Sequence, residues 1–458
     1  GGAVRSLRRS HRARGVHEPF QFLLSALPAA PPKGRMIHHI TDSAAESAHA
    51  PLDRIAGFVR HGWVRAVIVV AFAALAATKV VDFSGRPRYF LDADVYAVGG
   101  RRLLDGLPLY DGAFPTSTDV WLPFTYPPIA AVLFAPLAMI PLLLTFLLVA
   151  AASIASLWWV LRVVVVKLGG LRTDDAGWLA LALTAALLWF GPVHTTIGFG
   201  QINIILMMLV AIDVLVVPSR FRGLLTGVAI AIKLTPAVFG LWFLLRRDWA
   251  GIARIAASAG GLTLLGHLVV PADSTKYWLD TLADTGRIGG PMYASNQSID
   301  AELWRLGLHT DDGGSGLWLA LVLVAFLVTV AVMVRLLHDG HPFLAVCANA
   351  LFGLLASPVS WSHHWVWVPV MLVAVAVLAL RWMDAGVLPW VFVASGLVCF
   401  ALEPQALAPA EQGRELDWSV FWHVAGNSYL WWAVAAMVMF WFLSRRLPAA
   451  RTGLKFHS

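Results

Sequence analysis

Charge is scarce in this sequence. Asp, Glu, Lys and Arg together make up 13% of its 458 residues, against about 25% in an average soluble domain. So few charges cannot cover a globular surface, which excludes an ordinary soluble enzyme. Cysteine is scarcer still. Cys347 and Cys399 are the only two; both lie inside apolar runs, so no disulfide framework is implied and packing is their simplest role. The formal net charge is +7, but the Lys and Arg residues fall in short clusters between apolar blocks. That is the pattern of cytoplasmic loops and not of a nucleic-acid-binding patch.

What the sequence has in abundance is apolar length. Hydrophobic residues make up 59%, in blocks of roughly 16 to 24 residues, enough to cross a hydrocarbon core of about 30 Å. The expected fold is therefore all-α, a polytopic integral membrane protein. Candidate spans are 64–81, 127–141, 143–166, 177–191, 201–217, 222–245, 252–271, 316–337, 343–358, 363–380, 386–402 and 425–444. The 21 tryptophans suit a protein whose helix ends sit at two lipid–water interfaces.

Arg54, Arg60 and Arg65 flank the first span and favour a cytoplasmic N-terminus. "RRDWAGIAR", "RLLHDGH", "LRWMD" and "SRRLPAARTGLK" then fall inside, and the long loops 82–126, 271–315 and 403–424 outside. One segment breaks the charge rule: Arg220 and Arg222 precede the run 222–245, and Arg246 and Arg247 follow it. A hairpin interrupted at "KLTP" (233–236) would place both ends inside. A single span is the expectation, since membrane helices tolerate proline.

Residues 1–62 have no sustained apolar period and are expected to be a disordered cytoplasmic segment. Met36 is a candidate start, which would make the residues before it non-native. A cleavable signal peptide is not expected, because the first apolar run is remote from the N-terminus and of full span length. Residues 63–445 form the membrane domain and 446–458 a cytoplasmic tail.

Ionisable residues at membrane depth are costly, so they are candidates for function. The loop "YFLDADVYAVGGRRLLDG" (89–106) reads as a short amphipathic helix at the outer interface. Asp92 and Tyr96 are four residues apart and share a helical face, whereas Asp94 does not. The plain alternative makes Asp92 a helix N-cap and Asp94 a first-turn charge favourable to the helix dipole. Arg101 and Arg102 could face lipid phosphates or merely snorkel. In "LLASPVSWSHHWVWVPV" (354–370), His363 and His364 open a span on the same side as Asp92; imidazole suits proton transfer and imidazolium pairs with phosphate. Against a site stands an interfacial aromatic belt, since Trp361, Trp365 and Trp367 surround the pair. Adjacent histidines are no metal signature, because zinc ligands on a helix need i, i+4 spacing. Lys233, alone in "GVAIAIKLTPAVFG", is too deep for easy snorkelling and suits a phosphate. Gln201 and Asn203 in "GFGQIN", with Asn296 and Gln297 in "YASNQSIDAELWRLG", could bind sugar hydroxyls. Helix capping and interhelical hydrogen bonding explain any one of these four more simply.

Taken in order, the Asp loop after the first span, "FTYPP", "GQIN", "KLTPAVFGLWFLLRR", "NQS" and "SPVSWSHHWVW" resemble the actinobacterial GT-C mannosyltransferases of glycosyltransferase family 87. The resemblance covers roughly residues 60–445, and "SPVSWSHHWVW" is its most specific part. It implies a GT-C fold of about twelve spans in the plasma membrane, with the active site facing the exterior. It implies polyprenyl-phosphate mannose as donor, a phosphatidylinositol mannoside or lipomannan as acceptor, and an α-1,2 linkage. Laid on the family pattern, Asp92 is the general base, Tyr96 follows four residues later, and Asp94 stands at a variable position. "WHVAGNSYLWWAVA" (422–435) is similar to the lipomannan-branching members. His363 or His364 and Lys233, with Arg102, would neutralise the leaving phosphate, and Asp94, Tyr126, Gln201, Asn203, Asn296 and Gln297 would contact substrate. The pattern admits a divalent metal, but no ligand cluster demands one. Two other readings remain open from the residues: a lipid-linked sugar flippase, against which stands the absence of obvious repeated halves, and a same-fold arabinofuranosyltransferase.

Overall fold

The computed structural model describes residues 50–80, 90–309, 316–381 and 385–447. The expectations for 1–49 and for 448–458 lie outside the described residues. Helix α1 (Ala50–Val59) precedes α2 (Gly62–Val80); α3 (Leu91–Leu104) follows and leads into an antiparallel hairpin, β1 (Ala113–Pro115) and β2 (Trp121–Pro123). Then come α4 (Pro128–Phe134) with a 3-10 turn to Met139, α5 (Leu142–Gly169), α6 (Thr173–Leu187), α7 (Gly191–Phe199), α8 (Asn203–Leu215) and α9 (Leu224–Ile232). A 3-10 turn (Thr235–Phe239) joins α9 to α10 (Gly240–Leu245), before α11 (Trp249–Val269), α12 (Pro271–Leu279) and α13 (Ile299–Arg305). The last helices are α14 (Gly316–His338), α15 (Pro342–Ala356), α16 (Trp367–Leu380), α17 (Leu388–Leu402), α18 (Val420–Ala425) and α19 (Ser428–Leu443).

Each apolar run expected to span is helical, but the runs differ in length. Among the described residues α2, α5, α11, α14 and α17 with the turn that follows it (Leu388–Leu407) are long and apolar enough to cross a membrane, and α6 and α7 are an apolar pair bent by 81° at the break between them. The remaining apolar helices are shorter, 10 to 17 residues. The protein is a multi-pass membrane protein that combines long spans with shorter apolar helices.

Two expectations need correction. The segment before the first span is not wholly irregular: α1 carries Leu52, Ala56 and Val59 on one stripe, all buried, and Arg60 beyond it grips Asp175 of α6 at 2.9 and 2.7 Å. An apolar stripe this short is easily overlooked beside full-length spans.

The run 222–245 is a hairpin, not a single span. At one end the Arg222 and Leu224 carbonyls accept from Arg254 Nε (2.6 Å) and Ser258 Oγ (2.9 Å) of α11. At the other end Phe243 packs on Gly251, the same turn of α11 that Gly223 approaches so closely that a Cβ there would lie 2.4 Å from the Gly251 carbonyl. Both ends of the segment therefore meet one turn of α11. The reversal falls at "KLTP": Lys233 is extended (φ −149, ψ 130), and Pro236, lacking an N–H, cannot continue a helix through the carbonyl of Ile232. Arg220, Arg222, Arg246 and Arg247 now lie at one end, and the conflict with the charge rule disappears. The same end gathers the pairs Arg60–Asp175 and Arg65–Asp174, and Arg381 against the Leu168 carbonyl.

Candidate functional site

The opposite end holds the site, built in two halves joined by one turn. The first half is α3, whose Gly99 and Gly100 pack against Phe124 and Phe134 and fix its depth. Asp92 lies in its first turn, but Phe90 stands at the N-cap and no side chain caps the helix. The capping role for Asp92 is thereby excluded. Its Oδ1 accepts from Gln201 Nε2 at 2.7 Å, while its Oδ2 is buried without a hydrogen-bond partner. Asp92 lines a cavity of about 440 Å3. Burial pushes its carboxyl up to about 7, with the Lys233 charge pulling the other way.

Tyr96, one turn on, is fully buried behind Asp92 and does not line the cavity. Its hydroxyl donates to Gln201 Oε1 at 2.7 Å. Tyr126, from "FTYPP", donates to the same oxygen at 3.0 Å, and the Ile202 N–H is a third donor at 2.9 Å. Three donors on one oxygen fix which way the amide points, so its NH2 must face Asp92. Burial and the nearby Asp92 carboxylate raise the Tyr126 phenol above its ordinary value, so it stays a neutral donor.

The second half comprises Lys233, Asn203 and the histidine pair. Lys233 ends α9, and its Nζ donates to Asn203 Oδ1 at 2.9 Å. Asn203 Nδ2 donates to the His363 carbonyl at 3.1 Å, joined there by Thr196 Oγ1 at 2.8 Å. The two imidazole rings meet edge to face at 4.7 Å. Both histidines line the cavity with Asp92, Tyr126, Gln201 and Lys233. Lys233 makes no ion pair among the described residues, so its charge is available to a ligand. From Lys233 and His364 a narrower cleft runs on between α8, α15 and α16, lined by Leu206, Met207, Phe239, Leu354 and Trp367. Its lining is mostly apolar, with Thr235, Ser357 and Ser360 also on the wall.

Other residues singled out in the sequence lie elsewhere. Asp94 is engaged by Ser117, whose N–H and hydroxyl reach its Oδ2 at 2.7 and 2.6 Å; it anchors the hairpin loop. Arg102 donates to the Pro108 carbonyl at 2.7 Å and lies 3.9 Å over the Phe114 ring, outside the cavity lining. Asn296 donates to the Pro291 and Pro358 carbonyls and accepts from Ser360 N. Gln297 spans the Ala294 and Gly426 carbonyls. Both are fully buried and bonded to the protein: the Asn296 amide and the Gln297 backbone N–H hold the "SPVSW" loop that delivers the histidines, while the Gln297 amide ties Ala294 to Gly426 and Tyr429. Backbone groups of the protein, not a ligand, take up these hydrogen bonds. Sequence reasoning missed Arg287, whose guanidinium donates to the Tyr110 carbonyl at 2.9 Å and lines the cavity with Trp121, Tyr277 and Trp361. Its surroundings in the long loop carry no periodicity that could have flagged it. Among the described residues no three His, Cys, Asp or Glu side chains converge as a metal-binding group.

Residues 124–358 match Glycosyltransferase family 87. The chain is 42% identical over 78% of its length to the "polyprenol-phosphate-mannose-dependent alpha-(1-2)-phosphatidylinositol mannoside mannosyltransferase" of Mycolicibacterium smegmatis, covering 84% of that protein. It is also 42% identical to the Mycobacterium tuberculosis protein of the same description, over 78% of this chain and 85% of the relative. A "phosphatidylinositol pentamannoside mannosyltransferase" of M. smegmatis, likewise polyprenol-phosphate-mannose-dependent, is 37% identical over 67% of this chain and 73% of its own. No solved structure matches.

Proposed function

This chain belongs to glycosyltransferase family 87, and from that premise we propose that it transfers mannose from polyprenyl-phosphate mannose to a phosphatidylinositol mannoside in α-1,2 linkage. One observation carries the assignment: Asp92, whose Oδ2 is buried and unpartnered, lines the same cavity as Lys233. A base and a phosphate-binding cation share one chamber, and an apolar cleft leaves it beside the cation.

The chemistry is a single displacement. The acceptor hydroxyl loses its proton to Asp92 Oδ2, its oxygen bonds to the anomeric carbon, and the bond from that carbon to the phosphate oxygen breaks. Polyprenyl phosphate departs as the anion. Phosphate is a good leaving group, so no second carboxylic acid is needed, unlike an inverting hydrolase. Lys233 and the histidine pair meet the charge that develops on the phosphate, and the apolar cleft takes the first part of the polyprenyl chain. Attack from the face opposite the phosphate inverts a β-linked donor to an α-linked product. A carboxyl near 7 is well matched to proton transfer at neutral pH.

With the basic end cytoplasmic, the cavity opens at the outer face of the plasma membrane. The higher identity to relatives named for phosphatidylinositol mannoside than to the pentamannoside type favours the former as acceptor. The test is transfer by purified protein supplied with polyprenyl-phosphate mannose and a phosphatidylinositol mannoside. Asp92→Asn should lower the rate about 10²- to 10⁴-fold with folding intact; near-normal turnover would sink the assignment.

A further inference from the structure

We propose that the turn Gln201–Asn203 is a positioning element of the transfer, orienting the proton-accepting carboxylate with one side chain and the phosphate-binding ammonium with the other. The proposal rests on the roles just given to Asp92 and Lys233.

Most of the hydrogen-bonding capacity of both amides is spent on the protein, with one N–H of each left over. Gln201 Oε1 is already met by three donors, from Tyr96, Tyr126 and Ile202. One N–H of its amide is committed to Asp92 Oδ1. Asn203 Oδ1 is met by Lys233 Nζ and its amide nitrogen by the His363 carbonyl. On either side these contacts leave a reactive group available: Asp92 Oδ2 and the remaining ammonium N–H groups of Lys233. Because Gln201 holds Oδ1, the carboxylate of Asp92 is kept in one orientation, with Oδ2 as its unpartnered oxygen. Because Asn203 holds Nζ, a long flexible stem arrives at one place.

The separation of the two reacting ends is then set by backbone. Gln201 and Asn203 flank a single residue, and the turn is fixed from behind. Gly200 ends α7 in the left-handed region (φ +68), and a Cβ there would come within 2.7 Å of the Ala93 Cβ in α3. Only glycine fits both demands. The helix carrying the base thus touches the turn carrying its orienting amide. Displacing a reacting group by about 1 Å can cost about 10²-fold in rate, which is the advantage of tying both ends to one turn.

The two halves should fail differently, and steady-state kinetics of the purified full-length protein across pH 5–9 reads the difference. Gln201→Glu keeps an acceptor for Tyr96, Tyr126 and Ile202 but removes the donor to Asp92 and sets a second carboxyl beside it. Its kcat should fall about 10- to 100-fold, with the acid limb of the kcat profile moved upward by about one pH unit or more and the donor KM within about threefold. Asn203→Ala should instead raise the donor KM at least about tenfold, as expected for a loosened charge-assisted contact, with the acid limb displaced less than in Gln201→Glu. Gln201→Met, of similar volume, serves if the glutamate variant does not fold. The proposal is overturned if Gln201→Glu keeps the wild-type acid limb and raises only the acceptor KM, which would make the amide a substrate reader. It is equally overturned if both variants lose activity in step with thermal stability and no limb moves. Asp92→Asn run alongside separates the claims. An active Asp92→Asn enzyme refutes the base itself, whereas an inactive one beside an unshifted Gln201→Glu refutes the positioning role alone.

Discussion

Asp94 and Ser117 form a closed pair: one carboxylate oxygen takes both the N–H and the hydroxyl of a single residue, at 2.7 and 2.6 Å. Two residues earlier on the same helix, the corresponding oxygen of Asp92 takes nothing. The two carboxylates of "LDAD" therefore have opposite uses, one holding a loop and the other left for chemistry.

Replacing Asp94 should accordingly damage the fold more than the reaction. Asp94→Ala removes the acceptor from two donors at a buried position, and hydrogen bonds to a charged group are each worth about 1.5–3 kcal/mol. Thermal unfolding in detergent should fall by several degrees, with turnover at low temperature within about tenfold of wild type. A loss of activity as deep as that of Asp92→Asn, at unchanged stability, would assign Asp94 to the reaction instead.

The carboxyl of Asp92 titrates near 7 when folded, against 3.8 as its ordinary value. Activity needs the carboxylate, so turnover should rise with pH through about 7 and level off above. Stability runs the other way. The folded state keeps a proton that the unfolded chain has already lost, so between about pH 4 and 7 the contribution of Asp92 to stability falls as pH rises, and the full burial penalty applies above that window. Asp92→Asn removes the penalty. The variant should unfold at a higher temperature than wild type at pH 8, with the gap closing toward pH 4; an equal offset at both pH values would show that burial of charge is not its cause.

Lys233 offers its remaining N–H groups to the cavity after Asn203 takes one. Lys233→Gln keeps a donor but loses the charge. Donor kcat/KM should fall about 10- to 100-fold, the worth of a charge-assisted contact of about 1.5–3 kcal/mol. The acid limb of the profile should also move upward, because the Lys233 charge favours the Asp92 carboxylate. A variant with unchanged donor kinetics would leave the phosphate to Arg287 or the histidines.

Part of this site is legible in the residues: spacing ties Asp92 to Tyr96, and the cost of charge at membrane depth marks the histidine pair and Lys233. The i, i+4 relation of Asp92 and Tyr96 holds, since both reach Gln201, and Asp92, His363, His364 and Lys233 line one cavity. What the chain does not display is which polar side chains are consumed by their own backbone. Asn296 and Gln297 look like sugar ligands in "SNQS", yet their partners are the Pro358, Ser360 and Gly426 backbone, distant in sequence. Helical periodicity also cannot tell a span from a hairpin of two short helices. Composition is the same for both, and only the packing of Gly223 and Phe243 on one turn of α11 decides.

That hairpin makes a prediction about sidedness. Ser219 and Ala250 are exposed just outside the two ends of the 222–245 segment; a single span would separate them by the membrane, and the hairpin puts them together. Gly290 is exposed in the long loop at the site end. In a background with Cys347 and Cys399 replaced, Ser219→Cys and Ala250→Cys should both resist a membrane-impermeant maleimide added to intact cells and both react in inverted vesicles. Gly290→Cys should show the reverse. The basic clusters require this, because Arg220 and Arg222 on one side and Arg246 and Arg247 on the other would violate the charge asymmetry of cytoplasmic loops if the segment crossed once. Labelling of Ser219→Cys and Ala250→Cys from opposite faces would restore the single span and with it the depth problem at Lys233. A lysine midway along one continuous helix would have no chamber to serve, whereas at the tip of a hairpin it lines the cavity beside Asn203.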